Sequence, residues 1–161
     1  MTVPNHFDVN RRRCLQDAHA ETLGDRFAPP WFDPMSWQFT ETGELHGTLE
    51  EGLQTEGYRQ LVHGGAIAAL IDAAMTHCLF GHGIVALTAE LKVHYRKPLL
   101  CKRSIQIQTG IEQVIGDQLY RLKARVMQEQ ETRTEAFGAF FRPLPGDPGS
   151  TYVCGTPPDP R

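Results

Sequence analysis

The chain has 161 residues, of which 40% are hydrophobic, and a net charge of −3 at pH 7. A chain of this length fits a single domain that buries roughly two thirds of its unfolded surface around one core. The slightly acidic balance gives no basic face of the strength that nucleic-acid binding requires, so we expect no nucleic-acid partner.

The four cysteines, Cys14, Cys78, Cys101 and Cys154, lie far apart in the sequence. Their spacing fits neither a zinc site nor a dense disulfide framework, which indicates reduced thiols and a cytoplasmic location. The arginines at positions 11–13 precede no apolar run. No segment approaches the roughly eighteen apolar residues of a membrane span, so none is predicted.

The first part of the chain, residues 1–35, is polar and ends in a proline-rich run, which predicts an N-terminal appendage. A hairpin follows, with arms at residues 37–41 and 44–50 around a turn at Thr42 and Gly43. Apolar and polar residues alternate along its second arm, as expected for a strand with one buried face.

The most informative segment is residues 63–72, because it opens an apolar helix with two glycines and places one carboxylate, Asp72, inside it. The helix is predicted over residues 64–80, with Gly81 and Gly83 ending it. A helix that is apolar on every side should be buried in the middle of a domain. An ionised carboxylate is costly there, so Asp72 is a candidate functional residue.

The strand after the helix, residues 87–95, alternates strictly and is predicted to have one buried and one wet face. Its apolar members are Leu87, Ala89, Leu91, Val93 and Tyr95. Residues 104–114 and 118–128 then form a second hairpin, and residues 133–142 form a last strand. Residues 144–161 are rich in proline and glycine, which predicts a flexible tail.

This order of elements indicates an α+β fold in one domain, residues 36–143, with a curled antiparallel sheet wrapped around one long buried helix. A flat sheet cannot cover so apolar a helix. The sheet should therefore curl, and a partner subunit should complete the burial. A homodimer is the simplest closure.

Two motifs together resemble the hotdog-fold acyl-CoA thioesterases of the phenylacetate-pathway type, in the 4-hydroxybenzoyl-CoA thioesterase superfamily. They are His63-Gly64-Gly65 followed by Asp72, and an alternating strand that ends in Tyr-x-x-Pro at residues 95–98. The resemblance covers residues 40–143. It implies a hotdog fold, dimers that share a continuous sheet, dimers of dimers, and an active site at the dimer interface where Gly64 of one subunit meets Asp72 of the other.

The chemistry of thioester hydrolysis agrees with that implication. Negative charge develops on the carbonyl oxygen, and free N–H groups at a helix N-terminus suit it. Gly64 is therefore the expected oxyanion donor, with Gly65 beside it for close approach of the substrate. Asp72 is either a general base or a nucleophile, and we favour the base. Eight residues, about 12 Å of helix, separate Asp72 from Gly64, so the two should act across a dimer.

Several further residues are candidates for the site. Thr88 lies where related enzymes carry Ser or Thr beside the acid and is a candidate to hold the attacking water, although a threonine in a strand is more often there only because it suits the strand. His63 either polarises the carbonyl or fixes the turn, and we favour the turn. Arg96 and Lys97 belong to a basic cluster that suits the phosphates of coenzyme A, or a solvated strand end.

Two positions depart from the family pattern and bear on substrate binding. Many members carry Asn or Gln where this chain has Gly57, and glycine where it has Gln60. A separate group, His77, Cys78 and His82, lacks further ligands at metal spacing and is predicted to serve packing and the helix end. We expect no metal and no cofactor, since coenzyme A is part of the substrate.

The predicted function is hydrolysis of an acyl-CoA or aryl-CoA thioester to a free acid and coenzyme A. One alternative is a hotdog hydratase, which usually has a catalytic His paired with an acid in an arrangement that this sequence lacks. The other is a non-catalytic acyl-CoA sensor, which does not need Asp72.

Overall fold

A computed structural model describes residues 35–116, 118–144 and 146–147. The predicted N-terminal appendage and all but the first residues of the predicted tail lie outside these ranges, as do Cys14 and Cys154. The structure below is that of the described residues.

The described chain forms a six-stranded antiparallel sheet and one long helix, which confirms the predicted α+β class. The strands are β1 (Ser36–Phe39), β2 (Leu45–Leu49), β3 (Glu56–Tyr58), β4 (Leu61–Val62), β5 (Leu87–Tyr95), β6 (Ile105–Ile115), β7 (Leu119–Gln128) and β8 (Glu131–Phe141), and the helix is α1 (Gly64–Gly81). The large sheet has the order β1-β2-β6-β7-β8-β5, and β3 pairs with β4 in a separate ribbon before α1. The helix contacts β2, β5, β6, β7 and β8 of the large sheet, which therefore curves around one side of it.

The core lies between the inner face of the sheet and α1, and period-2 patterning places it there. Along β7, buried residues alternate with exposed ones. Along β8, Thr134, Ala136, Gly138 and Phe140 are the buried set. Gly138 lets α1 approach closely, because a Cβ built there would lie 2.7 Å from the sulfur of Met75.

The helix is not buried on every side, contrary to the prediction from its composition. Its C-terminal half is enclosed, with Ala74, Met75 and every residue from 77 to 81 buried. Its N-terminal half is more open: Gly65 and Ala69 are exposed and Asp72 is only partly buried. The sheet of a single chain therefore covers one end of α1 far better than the other.

The expectation that no segment approaches a membrane span also needs correction. The helix α1 has 18 residues and a mean hydropathy of 1.3, enough to cross a membrane by length and composition alone. However, 56% of it is buried within the domain, as in the core helix of a globular protein.

The strand β5 lies at the edge of the sheet, and its predicted buried face is open in the single chain. None of its nine residues is buried. Leu87 is 49% exposed and Tyr95 is 52% exposed. An edge strand of this length presents unpaired backbone N–H and C=O groups together with apolar side chains, a combination that suits pairing with another chain.

A bulge in β5 also changes which residues share a face. Thr88 pairs with Phe140 of β8, Glu90 pairs with Ala139, and the register shifts between them. The extra residue, Ala89, breaks the alternation that the sequence predicted. Thr88, predicted to be on the wet face, consequently lies on the inner face with Leu91.

Candidate active site

The site begins at the N-terminus of α1, which His63 caps. His63 has an extended backbone (φ −62°, ψ 130°), and its Nδ1 accepts a hydrogen bond from the N–H of Gly65 at 2.9 Å. An imidazole that accepts through Nδ1 is neutral and carries its proton on Nε2. The ring of His63 thus takes the place of the usual Ser or Asp cap and fixes the first turn of the helix.

The N–H groups of that first turn are not equivalent. The N–H groups of Ala66 and Ile67 donate to the carbonyl of His63 at 3.0 and 3.2 Å, and that of Gly65 is taken by the His63 ring. Within the part of the chain that the structure describes, no acceptor takes the N–H of Gly64. Gly64 therefore retains the donor that an anionic oxygen at the helix N-terminus would use.

Tyr95, at the end of β5, lies directly against this turn. Its hydroxyl donates to the carbonyl of Gly64 at 2.8 Å. A Cβ built at Gly64 would lie 3.4 Å from both Cζ and Oη of the tyrosine. The sequence motif contained Tyr95, but only as a strand residue; its contact with Gly64 crosses 31 positions of sequence and gives no local signal.

The predicted acid and the predicted hydroxyl residue are in contact. Thr88 Oγ1 donates to Asp72 Oδ1 at 2.7 Å, a length typical of a hydroxyl bound to a charged oxygen. The bulge at Ala89 makes this contact, because it turns Thr88 to the inner face of β5. The hydroxyl therefore reaches the carboxylate itself and fixes one of its two oxygens.

The two halves of the candidate site remain separate within one chain. Gly64 and Asp72 lie on the same regular helix, eight residues or about 12 Å apart along its axis. A single thioester carbonyl cannot contact both. One chain thus contains a candidate oxyanion donor and a candidate base that are too far apart to act on the same carbonyl.

The two positions that depart from the family pattern lie in the ribbon before α1, and one of them lies against His63. A Cβ at Gly57 would lie 3.0 Å from the Cα of His63 and 3.2 Å from its ring, so a larger residue would push against the helix cap. Gln60 has a φ of 64° in the turn between β3 and β4. Glycine adopts this left-handed conformation without strain, which gives a physical reason for the glycine of related sequences.

The predicted basic cluster is paired with carboxylates, which the sequence did not indicate. Arg96 Nε lies 2.9 Å from Glu135 Oε2, and Lys97 bonds to Glu131. The hydrogen bond from Lys97 lowers the pKa of Glu131 below its usual value. This strand end is therefore a mixed-charge surface rather than a bare cationic patch.

The group near the C-terminus of α1 serves packing and the helix end. His77 stacks on Trp37 with ring centroids 5.8 Å apart, and His82 Nε2 donates to the carbonyl of Gly43 at 2.9 Å. Cys78 is buried, and desolvation raises the pKa of its thiol to about 12. Among residues 35–116, 118–144 and 146–147, no group of three or more His, Cys, Asp or Glu side chains forms a potential metal site.

Comparison with known proteins bears on the family and the fold of this chain. Residues 60–134 match the family model of the thioesterase superfamily. This segment, from the turn before β4 to the start of β8, is similar to the thioesterase superfamily. The fold of the described residues is the hotdog fold. The structure of this chain is similar to that of the E. coli PaaI protein from the phenylacetic acid degradation operon. The TM-score is 0.66 and the identity is 18%, over 83% of this chain and 96% of that one.

Two further relatives are informative. The structure of smu.793 from Streptococcus mutans UA159 bound to acetyl CoA has a TM-score of 0.63 and 18% identity, over 74% of this chain and 97% of that one. Acyl-coenzyme A thioesterase THEM4 of Rattus norvegicus is 32% identical over 101 residues, which are 62% of this chain and 44% of the rat protein. The chain therefore spans less than half the length of the curated relatives that it matches.

Proposed function

We propose that this domain hydrolyses acyl-CoA thioesters to a free acid and coenzyme A. The observation that carries the proposal is the contact between Asp72 and Thr88, in which a carboxylate on α1 accepts a hydrogen bond from a hydroxyl on β5 at 2.7 Å. The names of the THEM4 relatives and the acetyl CoA bound by the S. mutans protein support an acyl-CoA substrate.

The proposed reaction uses Asp72 as a general base. The hydroxyl of Thr88 occupies Oδ1 and leaves Oδ2 to take a proton from water as that water attacks the carbonyl carbon. The carbonyl oxygen becomes an oxyanion that the N–H of Gly64 stabilises. Breaking of the C–S bond then releases the thiolate of coenzyme A, which takes the proton from Asp72, and leaves the free acid.

The proposal requires a homodimer, because Gly64 and Asp72 of one chain are about 12 Å apart. The open edge of β5 supports pairing of two such strands into a continuous sheet. Gly64 would then meet the partner subunit's Asp72. The exposed outer-face residues Phe137 and Phe141 support a second interface and a dimer of dimers.

The remaining predicted substrate contacts belong to the same proposal. Gly57 and Gln60 lie in the ribbon beside the cap, and Gly65 lies next to the oxyanion donor. Arg96 and Lys97 would exchange their carboxylate partners for phosphates of coenzyme A at the surface. The cytoplasmic location stays a prediction from the sequence.

The test is a free-thiol release assay over acyl-CoAs of increasing chain length and aryl-CoAs. Asp72→Asn is compared with the parent and with Glu112→Gln, which neutralises an exposed carboxylate on β6. We expect kcat to fall about 10²-fold to 10⁴-fold in Asp72→Asn and to stay unchanged in Glu112→Gln. Equal rates in Asp72→Asn and the parent would remove the acid from the mechanism.

Two other outcomes would replace the proposal with another function. Acyl-CoA binding without turnover by the parent would indicate a sensor. Addition of water to an enoyl-CoA, without release of a thiol, would indicate a hydratase.

A further inference from the structure

The peptide unit between Gly64 and Gly65 is hydrogen-bonded at both ends. Its carbonyl, on Gly64, accepts the hydroxyl of Tyr95 at 2.8 Å. Its N–H, on Gly65, donates to Nδ1 of His63 at 2.9 Å. Both partners are side chains, one from β5 and one from the helix cap, so the unit is held from outside the helix as well as by it.

The preceding peptide unit is anchored through its carbonyl. That carbonyl, on His63, accepts the N–H groups of Ala66 and Ile67. The N–H of the same unit is that of Gly64, the proposed oxyanion donor. Hydrogen bonds to the carbonyl of a peptide polarise it and strengthen its N–H as a donor. Two consecutive peptide units are thus fixed, and the Gly64 N–H remains for a ligand.

Such anchoring matters because two adjacent glycines have the widest backbone freedom of any dipeptide. An N–H group whose orientation varies stabilises an oxyanion poorly, because this form of catalysis depends on donors that are oriented before the reaction. Something other than the glycines must therefore hold the N–H in place.

We propose that Tyr95 is a positioning residue for the thioesterase reaction. Its hydroxyl fixes the carbonyl of Gly64, while His63 fixes the N–H of Gly65, and together they hold the Gly64 N–H toward the thioester oxygen. This inference rests on the proposed function. It assigns Tyr95 a role in orienting the donor, without contact with the reacting atoms.

The strand β5 then positions both halves of the site by the same means. Thr88 holds Asp72 through one hydroxyl, and Tyr95 holds Gly64 through another. The bulge at Ala89 places Thr88 on the inner face, where Tyr95 pairs with the buried Thr134. A single edge strand thereby fixes the carboxylate and the oxyanion donor relative to the sheet.

The kinetic test compares Tyr95→Phe with Tyr58→Phe in the full chain. Tyr95→Phe keeps the ring against Gly64 and removes only the hydroxyl, and Tyr58 is a matched control because it is 82% exposed. We expect kcat per folded molecule to fall about tenfold in Tyr95→Phe, with KM changed by less than about twofold. A purely structural role would lower the folded fraction and leave that kcat unchanged, which would overturn the proposal.

Amide hydrogen exchange measured by NMR provides a readout that does not require turnover. Loss of the Tyr95 hydroxyl should raise the exchange rate of the Gly65 N–H about tenfold, while Tyr58→Phe leaves it unchanged. Unchanged exchange in Tyr95→Phe would refute the anchoring even in an active enzyme. A parent that releases no thiol from any acyl-CoA would instead refute the proposed function, whatever the exchange rates, and with it the catalytic role of Tyr95.

Discussion

The two halves of α1 have similar apolar compositions but are held in place differently. The C-terminal half is enclosed by side chains: His77 stacks on Trp37, and Gly81 packs so closely on Phe39 that a Cβ would lie 2.0 Å from its ring. The N-terminal half buries Ile67, Leu70 and Ile71 but leaves Gly65 and Ala69 exposed. Its proposed functional groups are held by hydrogen bonds with His63, Thr88 and Tyr95.

This difference separates stability from chemistry along one helix. Burial of apolar side chains stabilises the fold, and the C-terminal half supplies most of that burial. Side-chain hydrogen bonds fix orientations, and the N-terminal half has them at each proposed functional group. Changes in the buried side chains of the C-terminal half should therefore lower stability at constant kcat. Changes in the side chains that hydrogen-bond to the functional groups of the N-terminal half should lower kcat at nearly constant stability.

The largest expected effect tests how well the C-terminal half is closed. Desolvation raises the pKa of the Cys78 thiol from 9.0 to about 12. At pH 8 its thiolate population is about 10³-fold below that of an ordinary thiol. We expect peptide mass spectrometry to find Cys78 alkylated by iodoacetamide about 10³-fold more slowly than an ordinary free thiol. Alkylation at the rate of the partly exposed Cys101 would show that this half opens readily.

The same pKa shift predicts how stability changes with pH. The folded state keeps a proton on Cys78 that the unfolded chain releases above pH 9, so this contribution is fully present below pH 9. It should be lost as the pH rises toward 12. Cys78→Ala should unfold with a flatter dependence on alkaline pH, as measured by urea denaturation between pH 8 and 11. An identical dependence in both proteins would contradict the shift.

Leu79→Ala should give the next largest effect. Leu79 is 0% exposed, and removing its buried methyl groups should lower the free energy of unfolding by about 2–5 kcal/mol. Because Leu79 lies seven residues, about two helical turns, beyond Asp72, kcat per folded molecule should be unchanged. Leu144→Ala, at a 49% exposed position, is the matched control for urea denaturation. A fall in kcat with Leu79→Ala would contradict the claim that the C-terminal half affects stability alone.

Thr88→Val should produce the opposite pattern in the N-terminal half. Valine keeps the branched shape that suits a strand but removes the hydroxyl that fixes Asp72 Oδ1. Loss of a hydrogen bond to a charged group predicts a roughly 10-fold to 100-fold lower kcat, with little change in melting temperature. Thr88→Ser keeps the hydroxyl and should retain most activity. Equal losses in both variants would assign the effect to packing.

The smallest expected effect concerns a turn outside α1, between β7 and β8. Glu129 and Gln130 form the two-residue turn between β7 and β8 and have φ values of 55° and 63°. Such turns favour glycine, so Gln130→Gly should raise stability by about 1 kcal/mol and the melting temperature by about 3 °C. Thermal unfolding measures the melting temperature, and kcat should be the same in Gln130→Gly as in the parent. An unchanged or lower melting temperature would contradict strain in this turn.

Local patterns in the sequence predicted most of the elements. The helix was predicted at residues 64–80 and is observed at Gly64–Gly81, because its glycines and apolar run act over a few residues. Both hairpins and the last strand are present for the same reason. The resemblance to a family predicted that Thr88 lies near Asp72, but the hydrogen bond between them was not predicted.

Features that depend on distant pairing could not be predicted. The bulge at Ala89 results from the register of β5 against β8, and strict alternation in the sequence hides it. Tyr95 reaches Gly64 only because β5 lies beside the helix N-terminus. The acids that neutralise Arg96 and Lys97 lie more than thirty positions away, on a strand whose pairing the local sequence does not specify.

The eight-residue spacing of Gly64 and Asp72 has a consequence for stoichiometry. In the proposed dimer each helix contributes its N-terminus to one site and its carboxylate to the other. Gly64→Pro would remove the donor N–H without disturbing the helix, because proline suits the first helical position and His63 already has the extended backbone that precedes it. Random exchange of such chains with Asp72→Asn chains would make half of the dimers mixed, each with one intact site. About a quarter of the parental activity should then return from two inactive proteins.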